Sequence, residues 1–235
     1  MKNILFIDIE TVSQTNDYQN LPERLKTQWS RKSSFLKKQE EETDEEMYHN
    51  SAGIYAEFGK VIVIGIGYFT KNEEGVNTFR VKAIRGHDEK ELLVSFSTLI
   101  NKFNPEEIQL CGHNSKEFDF PYLCRRMLVN GLKLPYVLDT SGKKPWEVNH
   151  LDTLHMWKFG DYKHYTSLDL LAHIFGIESS KIGIDGSQVG EVYYQEKNLD
   201  KIADYCMRDV AVTAQLYLKL KSQDNFDPKN IIYLD

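Results

Sequence analysis

The chain has 235 residues, of which 41% are hydrophobic and 27% are charged. This composition excludes a collagen, a coiled coil and a wholly disordered chain. With 29 basic and 35 acidic residues, the net charge is −6. Proteins that hold nucleic acid over a broad electrostatic surface are usually basic, so we expect any nucleic-acid contact of this chain to be local.

The hydropathy pattern and the cysteines indicate the cellular compartment in which the protein is expected. No apolar run approaches the roughly 18 residues of a membrane-spanning helix, so we expect no membrane contact. Cys111, Cys124 and Cys206 are scattered, and no two have the C-x-x-C spacing of a thiolate metal site. Such sparse cysteines are typical of a reducing compartment and favour a cytoplasmic protein.

The first half of the chain predicts three strands and an insertion. Residues 3–9 form a continuous apolar run of the kind found in central strands. The polar residues 13–55 lack strand alternation and predict a helical insertion. Strands follow at residues 60–69 and 76–84, which should pair as a hairpin across the polar turn between them.

The second half alternates helices with short strands. Helices are predicted at residues 88–103, 118–130, 167–175 and 199–220, and strands at residues 108–112 and 150–154. Three strands followed by this alternation predict an α/β fold, with helices on both faces of one mixed sheet. We assign residues 1–221 to a single domain that includes the insertion. Residues 222–235 form a C-terminal tail, whose apolar end (IIYL) should dock on the core or on a partner.

Two carboxylates lie at the end of the first strand. Asp8 and Glu10 are two residues apart, so strand periodicity puts them on the same face. Unpaired buried carboxylates are costly, and a divalent cation such as Mg²⁺ or Mn²⁺ is their natural partner because it prefers hard oxygen ligands. A strand that runs into solvent with both acids hydrated explains the same residues, so this motif alone leaves both interpretations open.

Two later segments carry further candidates. Asp119 follows the strand at residues 108–112 and lies at a helix start, where a carboxylate also simply favours the positive N-terminus. Tyr205 and Asp209 are four residues apart on the last helix and share a face. A surface aspartate beside an amphipathic tyrosine has the same spacing, so neither segment indicates a site by itself.

The three motifs occur together and in order, and the combination resembles the DEDD superfamily of 3′–5′ exonucleases. The motifs read FIDIET at residues 6–11, NSKEFD at 114–119 and YCMRD at 205–209. The tyrosine of the third motif points to the subgroup that carries one. The sequence resembles the exonuclease domain of family B DNA polymerases, and also a set of stand-alone bacterial proteins predicted to be related to that domain. The resemblance runs from about residue 2 to residue 220.

This resemblance implies a ribonuclease H-like fold, in which a mixed five-stranded sheet is flanked by helices. It also implies two divalent cations, Mg²⁺ or Mn²⁺, held by Asp8 between them, by Glu10 and Asp209 on the first, and by Asp119 on the second. Tyr205 would orient the attacking water. The implied activity is two-metal-ion hydrolysis of single-stranded DNA from its 3′ end to nucleoside 5′-monophosphates.

Four further residues are candidates for substrate contact. Ile9, through its backbone, and Thr11 lie where a terminal nucleotide would enter. Asn114 is a candidate to contact the strand or to position its loop. Phe118 is a candidate to stack on a base, although a core phenylalanine at a helix start is equally consistent with the pattern.

The insertion suggests a separate hypothesis. Residues 22–38 interleave Trp29 and Phe35 with six basic residues, namely Arg24, Lys26, Arg31, Lys32, Lys37 and Lys38. This pattern suggests a surface that grips single-stranded substrate by charge and stacking. An amphipathic helix with a solvated face accounts for the same pattern.

Three other functions remain open at this point. An exoribonuclease or oligonucleotide-degrading enzyme would use the same site, because no residue of the motifs reads the 2′-hydroxyl. An inactive ribonuclease H-like module that only binds nucleic acid or a protein should have lost an acid or the tyrosine. A ribonuclease H-like endonuclease is disfavoured by the Tyr-x-x-x-Asp motif.

Overall fold

The structure, a computed structural model, describes residues 3–36, 42–161 and 165–234. Its strands are β1 (Ile4–Ser13), β2 (Gly59–Lys71), β3 (Asn77–Arg85), β4 (Gln109–Gly112), β5 (Leu151–Asp152) and β6 (Ile231–Leu234). Its α-helices are α1 (Glu23–Ser33), α2 (Asp44–Ser51), α3 (Glu89–Ile100), α4 (Asp119–Val129), α5 (Thr153–Lys158), α6 (Leu168–Ile174), α7 (Val189–Glu191) and α8 (Leu199–Leu220). A π-helical turn, Val192–Glu196, follows α7 directly.

The strands form one mixed sheet in the order β5-β4-β1-β2-β3-β6. β1, β2 and β3 are antiparallel neighbours, whereas β4, β5 and β6 each join in parallel. The predicted ribonuclease H-like α/β fold is therefore present. The described residues give the sheet six strands rather than the five predicted, because the chain returns after α8 and pairs Ile231–Leu234 with β3. The apolar end of the tail thus adds a strand to the sheet.

β1 lies inside the sheet and is covered on both faces, which explains its unbroken apolar sequence. Leu5, Ile7 and Ile9 pack in the core layer that contains α3 and α4. Ile4 and Phe6 pack in the layer that contains α8. Because side chains alternate along a strand, the even-numbered residues that follow continue on the α8 face.

Two predicted strand boundaries are wrong for identifiable reasons. β1 continues to Ser13, four residues beyond its predicted end, because it stays paired with β2 through an irregularity between Glu10 and Thr11. The strand predicted at residues 150–154 spans only Leu151 and Asp152. The Asp152 carboxylate accepts hydrogen bonds from the N–H groups of the next turn and so begins α5.

The insertion between β1 and β2 folds around a core of its own. Trp29 of α1 is fully buried against Tyr48 and Phe58, and its indole N–H donates to the Asp44 carbonyl at 2.7 Å. Trp29 is therefore unable to stack on a substrate, so this part of the charge-and-stacking hypothesis is wrong. Phe35 is 88% exposed. Lys37 and Lys38 lie outside the described residues.

None of the helices in the described ranges combines the length and the apolar character that a membrane crossing requires.

α8 lies close against the sheet because β2 has a glycine beneath it. A Cβ atom added at Gly65 would lie 2.8 Å from both the Cys206 sulfur and a methyl group of Val210. Such a distance is too short for any side chain to be tolerated unless Cys206, Val210 or the helix that carries them moves. Gly65 therefore sets the distance between the sheet and the helix that carries Tyr205 and Asp209.

We expect Gly65→Ala to destabilise the protein by about 1–3 kcal/mol, the usual effect of overpacking a filled core. Urea unfolding followed by circular dichroism measures this difference. Gly86→Ala is the matched control, because the nearest atom to its added Cβ would be the Asp88 carbonyl oxygen at 3.8 Å. Equal stability of the two variants would show that α8 tolerates a greater distance from the sheet.

Candidate active site

Four carboxyl groups from distant parts of the chain meet beside the end of β1. Asp8 and Glu10 lie on β1, Asp119 is the first residue of α4, and Asp209 lies on α8. Glu10, Asp119 and Asp209 are each at least nine-tenths buried. The structure therefore brings together all four acids singled out in the sequence.

A direct hydrogen bond fixes Asp119 against the strand. Its Oδ1 accepts from the backbone N–H of Ile9, at 3.0 Å. Ile9 lies between Asp8 and Glu10, so this contact brings the third carboxyl group next to the first two. Burial raises the pKa of Asp119 to about 7, against the opposing effect of the Ile9 hydrogen bond.

The loop before α4 is held by an aspartate that lies outside the three sequence motifs. The Asp152 carboxylate accepts from the backbone N–H groups of Asn114 and Lys116, both at 3.0 Å. Asn114 has a positive φ of 61°, which this loop requires. Asp152 therefore orients the segment that leads into Asp119. Its position at the end of a short strand, directly before a helix, was the available signal in the sequence.

The electrostatics of the site disfavour ionised acids in the absence of a compensating charge. Burial raises the pKa of Asp8 well above its usual range, and the charges of Asp119, Asp209 and Glu10 raise it further. Burial, followed by Asp209 and Asp119, raises the pKa of Glu10 in the same way. Burial also raises the pKa of Asp209.

α8 adds a phenol and a thiol to the carboxyl groups. Tyr205 is buried, and its pKa is raised by that burial and by the charges of Asp209 and Glu10, so its hydroxyl keeps its proton. The Cys206 thiol lies 3.3 Å from Asp8 Oδ2, to which it donates. The sequence placed Cys206 inside the third motif but gave no sign of this contact.

The donor set suits a hard divalent cation. The four carboxyl groups offer oxygen ligands, and the ligand atoms of Asp8, Glu10 and Cys206 all lie within 4.8 Å of one another. Among the ion pairs of the described residues, none joins Asp8, Glu10, Asp119 or Asp209 to a lysine or an arginine. A cation of charge +2 would therefore relieve the repulsion within this cluster.

The four candidates for substrate contact divide into two groups. Ile9, Thr11 and Phe118 line a groove that begins at Glu10. Phe118 also packs against the core layer of α3 and α4, so it belongs to both environments. Asn114 lies in the loop before α4 and is not among the described residues that line the groove.

The raised pKa of Glu10 predicts a dependence of stability on pH. Because the pKa is higher in the folded state than in the unfolded state, the folded state loses stability as the pH rises through the raised value. We expect Glu10→Gln, measured in a chelator, to gain stability over the unmodified chain as the pH rises from about 5 to about 8. The gain at the upper end should be on the order of 1 kcal/mol, or roughly 2–4 °C in Tm.

Thermal unfolding across this pH range measures the effect. Glu73→Gln is the control, because Glu73 is an exposed turn residue. A loss of stability for Glu10→Gln at every pH would show that the fold itself compensates the charge of Glu10.

A family model matches residues 54–232, and its description is "Predicted 3'-5' exonuclease related to the exonuclease domain of PolB". The matched range includes Asp119, Tyr205 and Asp209. It begins at the end of the insertion and so does not include Asp8 and Glu10.

Archaeal DNA polymerases are among the relatives of this chain. DNA polymerase 1 of Pyrococcus abyssi is 28% identical over 190 residues, which are 73% of this chain and 23% of that protein. DNA polymerase of Thermococcus litoralis is 25% identical over 178 residues, which are 68% of this chain and 10% of that protein. This chain therefore spans less than a quarter of either relative.

A solved structure has the same fold. The family B DNA polymerase from the hyperthermophilic archaeon Pyrobaculum calidifontis aligns with 94% of this chain and 25% of its own, with a TM-score of 0.57 and 19% sequence identity. At this level of identity the likeness is evidence for the fold alone.

Proposed function

The chain belongs to the family of predicted 3′–5′ exonucleases related to the exonuclease domain of PolB, and we propose that it hydrolyses single-stranded DNA from the 3′ end to nucleoside 5′-monophosphates. The observation that carries this proposal is the meeting of four carboxyl groups from β1, α4 and α8 beside a groove. The relatives named as DNA polymerases favour DNA over RNA as the substrate.

In the proposed mechanism, Asp8, Glu10, Asp119 and Asp209 would hold two divalent cations, Mg²⁺ or Mn²⁺. Such ions lower the pKa of bound water and stabilise the charge on the attacking and leaving oxygens of an in-line displacement. Asp8 would be central to this ligand set, because the charges of Asp119, Asp209 and Glu10 all act on its carboxyl group. The Ile9 N–H keeps the Asp119 carboxylate turned toward the cluster.

Tyr205 and Cys206 are assigned supporting roles. The raised pKa of Tyr205 makes it a hydrogen-bond partner that positions the attacking water rather than a base that removes its proton. The Cys206 thiol holds the Asp8 carboxylate in one orientation. We further propose that residues 1–221, together with the strand β6 that joins their sheet, act as one exonuclease domain. We propose a cytoplasmic location for it, which the three free cysteines favour.

Removal of an acid should abolish hydrolysis without unfolding the chain. We expect Asp209→Asn to lower the rate of shortening of a 5′-labelled single-stranded DNA by roughly 10³-fold or more, the scale seen when a group essential to the chemistry is lost. Gel analysis with Mg²⁺ or Mn²⁺ measures the rate. Asp139→Asn, at an exposed loop position, is the control.

The form of the substrate distinguishes the remaining alternatives. A closed circle should resist cleavage because an exonuclease needs an end, and cleavage of the circle would indicate an endonuclease. Faster shortening of the matching RNA would indicate an exoribonuclease. No cleavage of either linear strand with either metal would indicate a binding module.

Tyr205→Phe tests the role of the phenol. We expect it to keep the fold and the metal dependence and to lower kcat by roughly 10²-fold, because the water loses its hydrogen-bond partner. Tyr68→Phe is the control, since Tyr68 is exposed on β2. Full activity of Tyr205→Phe would contradict the proposed role of Tyr205 in positioning the attacking water.

A further inference from the structure

A groove of about 970 Å³ begins at Glu10 and follows the end of β1. Its floor is formed by residues 9–13. One side is formed by four residues of the insertion, which we call the α2 wall: His49, Asn50, Gly53 and Ile54. The other side comes from residues 186–195, including Tyr194. The groove is therefore continuous with the proposed active site, and the insertion supplies one side of it.

The α2 wall is built as a fixed surface. Gly53 lies against β1, and a Cβ atom there would lie 3.1 Å from the Val12 carbonyl carbon, so only glycine fits without adjustment. The Tyr122 hydroxyl of α4 donates to the Gly53 carbonyl at 2.8 Å. The Arg126 guanidinium donates to the Ala56 carbonyl at 2.8 Å and pairs with the buried Glu89 carboxylate.

The chemistry of the lining is uncharged apart from two carboxylates. The described residues that line the groove include Glu10 and Glu191 but no lysine and no arginine. They therefore offer no cationic side chain to neutralise phosphates, which is the usual source of salt-sensitive nucleic-acid affinity. The α2 wall instead offers the His49 imidazole and the apolar Ile54, which is 56% exposed. It also offers the Asn50 amide, which donates one hydrogen bond to Glu42 at 3.1 Å and has a second N–H and an oxygen for a ligand. The basic side chains of α1 are absent from this described lining.

Ile9 and Thr11 on the floor are the candidates for the terminal nucleotide, so we propose that the α2 wall binds the nucleotides on the 5′ side of the scissile bond, through contacts to their bases and sugars rather than to their phosphates. This inference rests on the proposed function and adds the substrate class: single strands long enough to fill the groove. Ile54 packs against a base or a sugar, and His49 and Asn50 hydrogen-bond to base or sugar edges. The insertion thus makes the enzyme selective for strand length.

The first test measures binding without hydrolysis. The probe is a fluorescein-labelled ten-nucleotide single-stranded DNA, and the protein is the full chain with Asp209→Asn, so that the probe is not consumed. We expect the additional change His49→Ala, Asn50→Ala or Ile54→Ala to raise Kd roughly 3- to 10-fold, the range for one lost hydrogen bond or apolar contact. An unchanged Kd for all three variants overturns the proposal.

Two controls match the chemistry of the changed residues. Gln28→Ala removes an exposed amide from α1 of the same insertion, and His173→Ala removes an exposed imidazole from α6. Both should bind like the parent. A loss of affinity in these controls equal to that of the wall variants would overturn the assignment to the α2 wall.

The salt dependence separates base and sugar contacts from phosphate contacts. The slope of log Kd against log salt concentration should be the same for the parent and the wall variants, because no phosphate contact is lost. A slope reduced by about 0.7 for a single variant would indicate one lost phosphate contact. It would overturn the proposal that the α2 wall contacts bases and sugars rather than phosphates.

Hydrolysis then distinguishes this inference from the proposed function. We expect Asn50→Ala to lower the ratio of kcat/KM on the ten-nucleotide strand to kcat/KM on the p-nitrophenyl ester of thymidine 5′-monophosphate by roughly 5-fold. An equal loss of kcat/KM on both substrates would place the effect in the active site and overturn the assignment of strand binding to the α2 wall. If the unmodified chain hydrolyses neither substrate, the proposed function fails, while weaker binding by the wall variants still supports the binding surface.

Discussion

The hydrogen bond from the backbone N–H of Ile9 to the Asp119 carboxylate joins two segments that are 110 residues apart. It requires the start of α4 to lie beside β1, which in turn requires β4 to run parallel to β1 and to end next to it. The loop between β4 and α4 must then turn sharply, and Asp152 holds it by accepting two of its N–H groups. The arrangement of this half of the sheet follows from placing one carboxyl group next to Asp8 and Glu10.

On the α8 face of β1, a different contact brings the fourth carboxyl group to the site. Asp8 and Glu10 share the face that α8 covers, so Asp209 must approach them from that helix. The absence of a side chain at Gly65 lets α8 come close enough for the Cys206 thiol to reach Asp8. Burial and mutual repulsion raise the pKa values of these acids. Their ionised forms therefore destabilise the fold in the middle of the sheet. Apolar packing of Phe6 and its neighbours against α8 offsets this destabilisation.

The sequence predicts the features that follow from the local spacing of residues. The apolar run of β1 indicates a central strand, the two-residue spacing puts Asp8 and Glu10 on one face, and the four-residue spacing aligns Tyr205 with Asp209. The order of the three motifs identifies the family, and the family model and the fold agree with it. The catalytic roles of these residues remain predictions.

The features that the sequence did not predict depend on contacts between distant segments. The apolar residues of β6 predicted docking, but they form a strand because the edge of β3 is available to pair with them. Trp29 looks like a stacking residue beside basic neighbours, yet it forms the core of the insertion. The groove exists because residues 49–54 and 186–195 face each other across β1, and neither segment alone indicates a cleft.

The distance along the chain between the two halves of the site has a consequence for how the protein is made. Asp8 and the thiol that orients it are separated by 198 residues. Loop closure over such a length disfavours early contact, so α8 is expected to settle on the sheet late in folding. During synthesis on the ribosome, β1 emerges long before α8 exists. A growing or prematurely terminated chain therefore has two of the four acids on its first strand but cannot assemble the cluster, and the site forms only when the last long helix arrives.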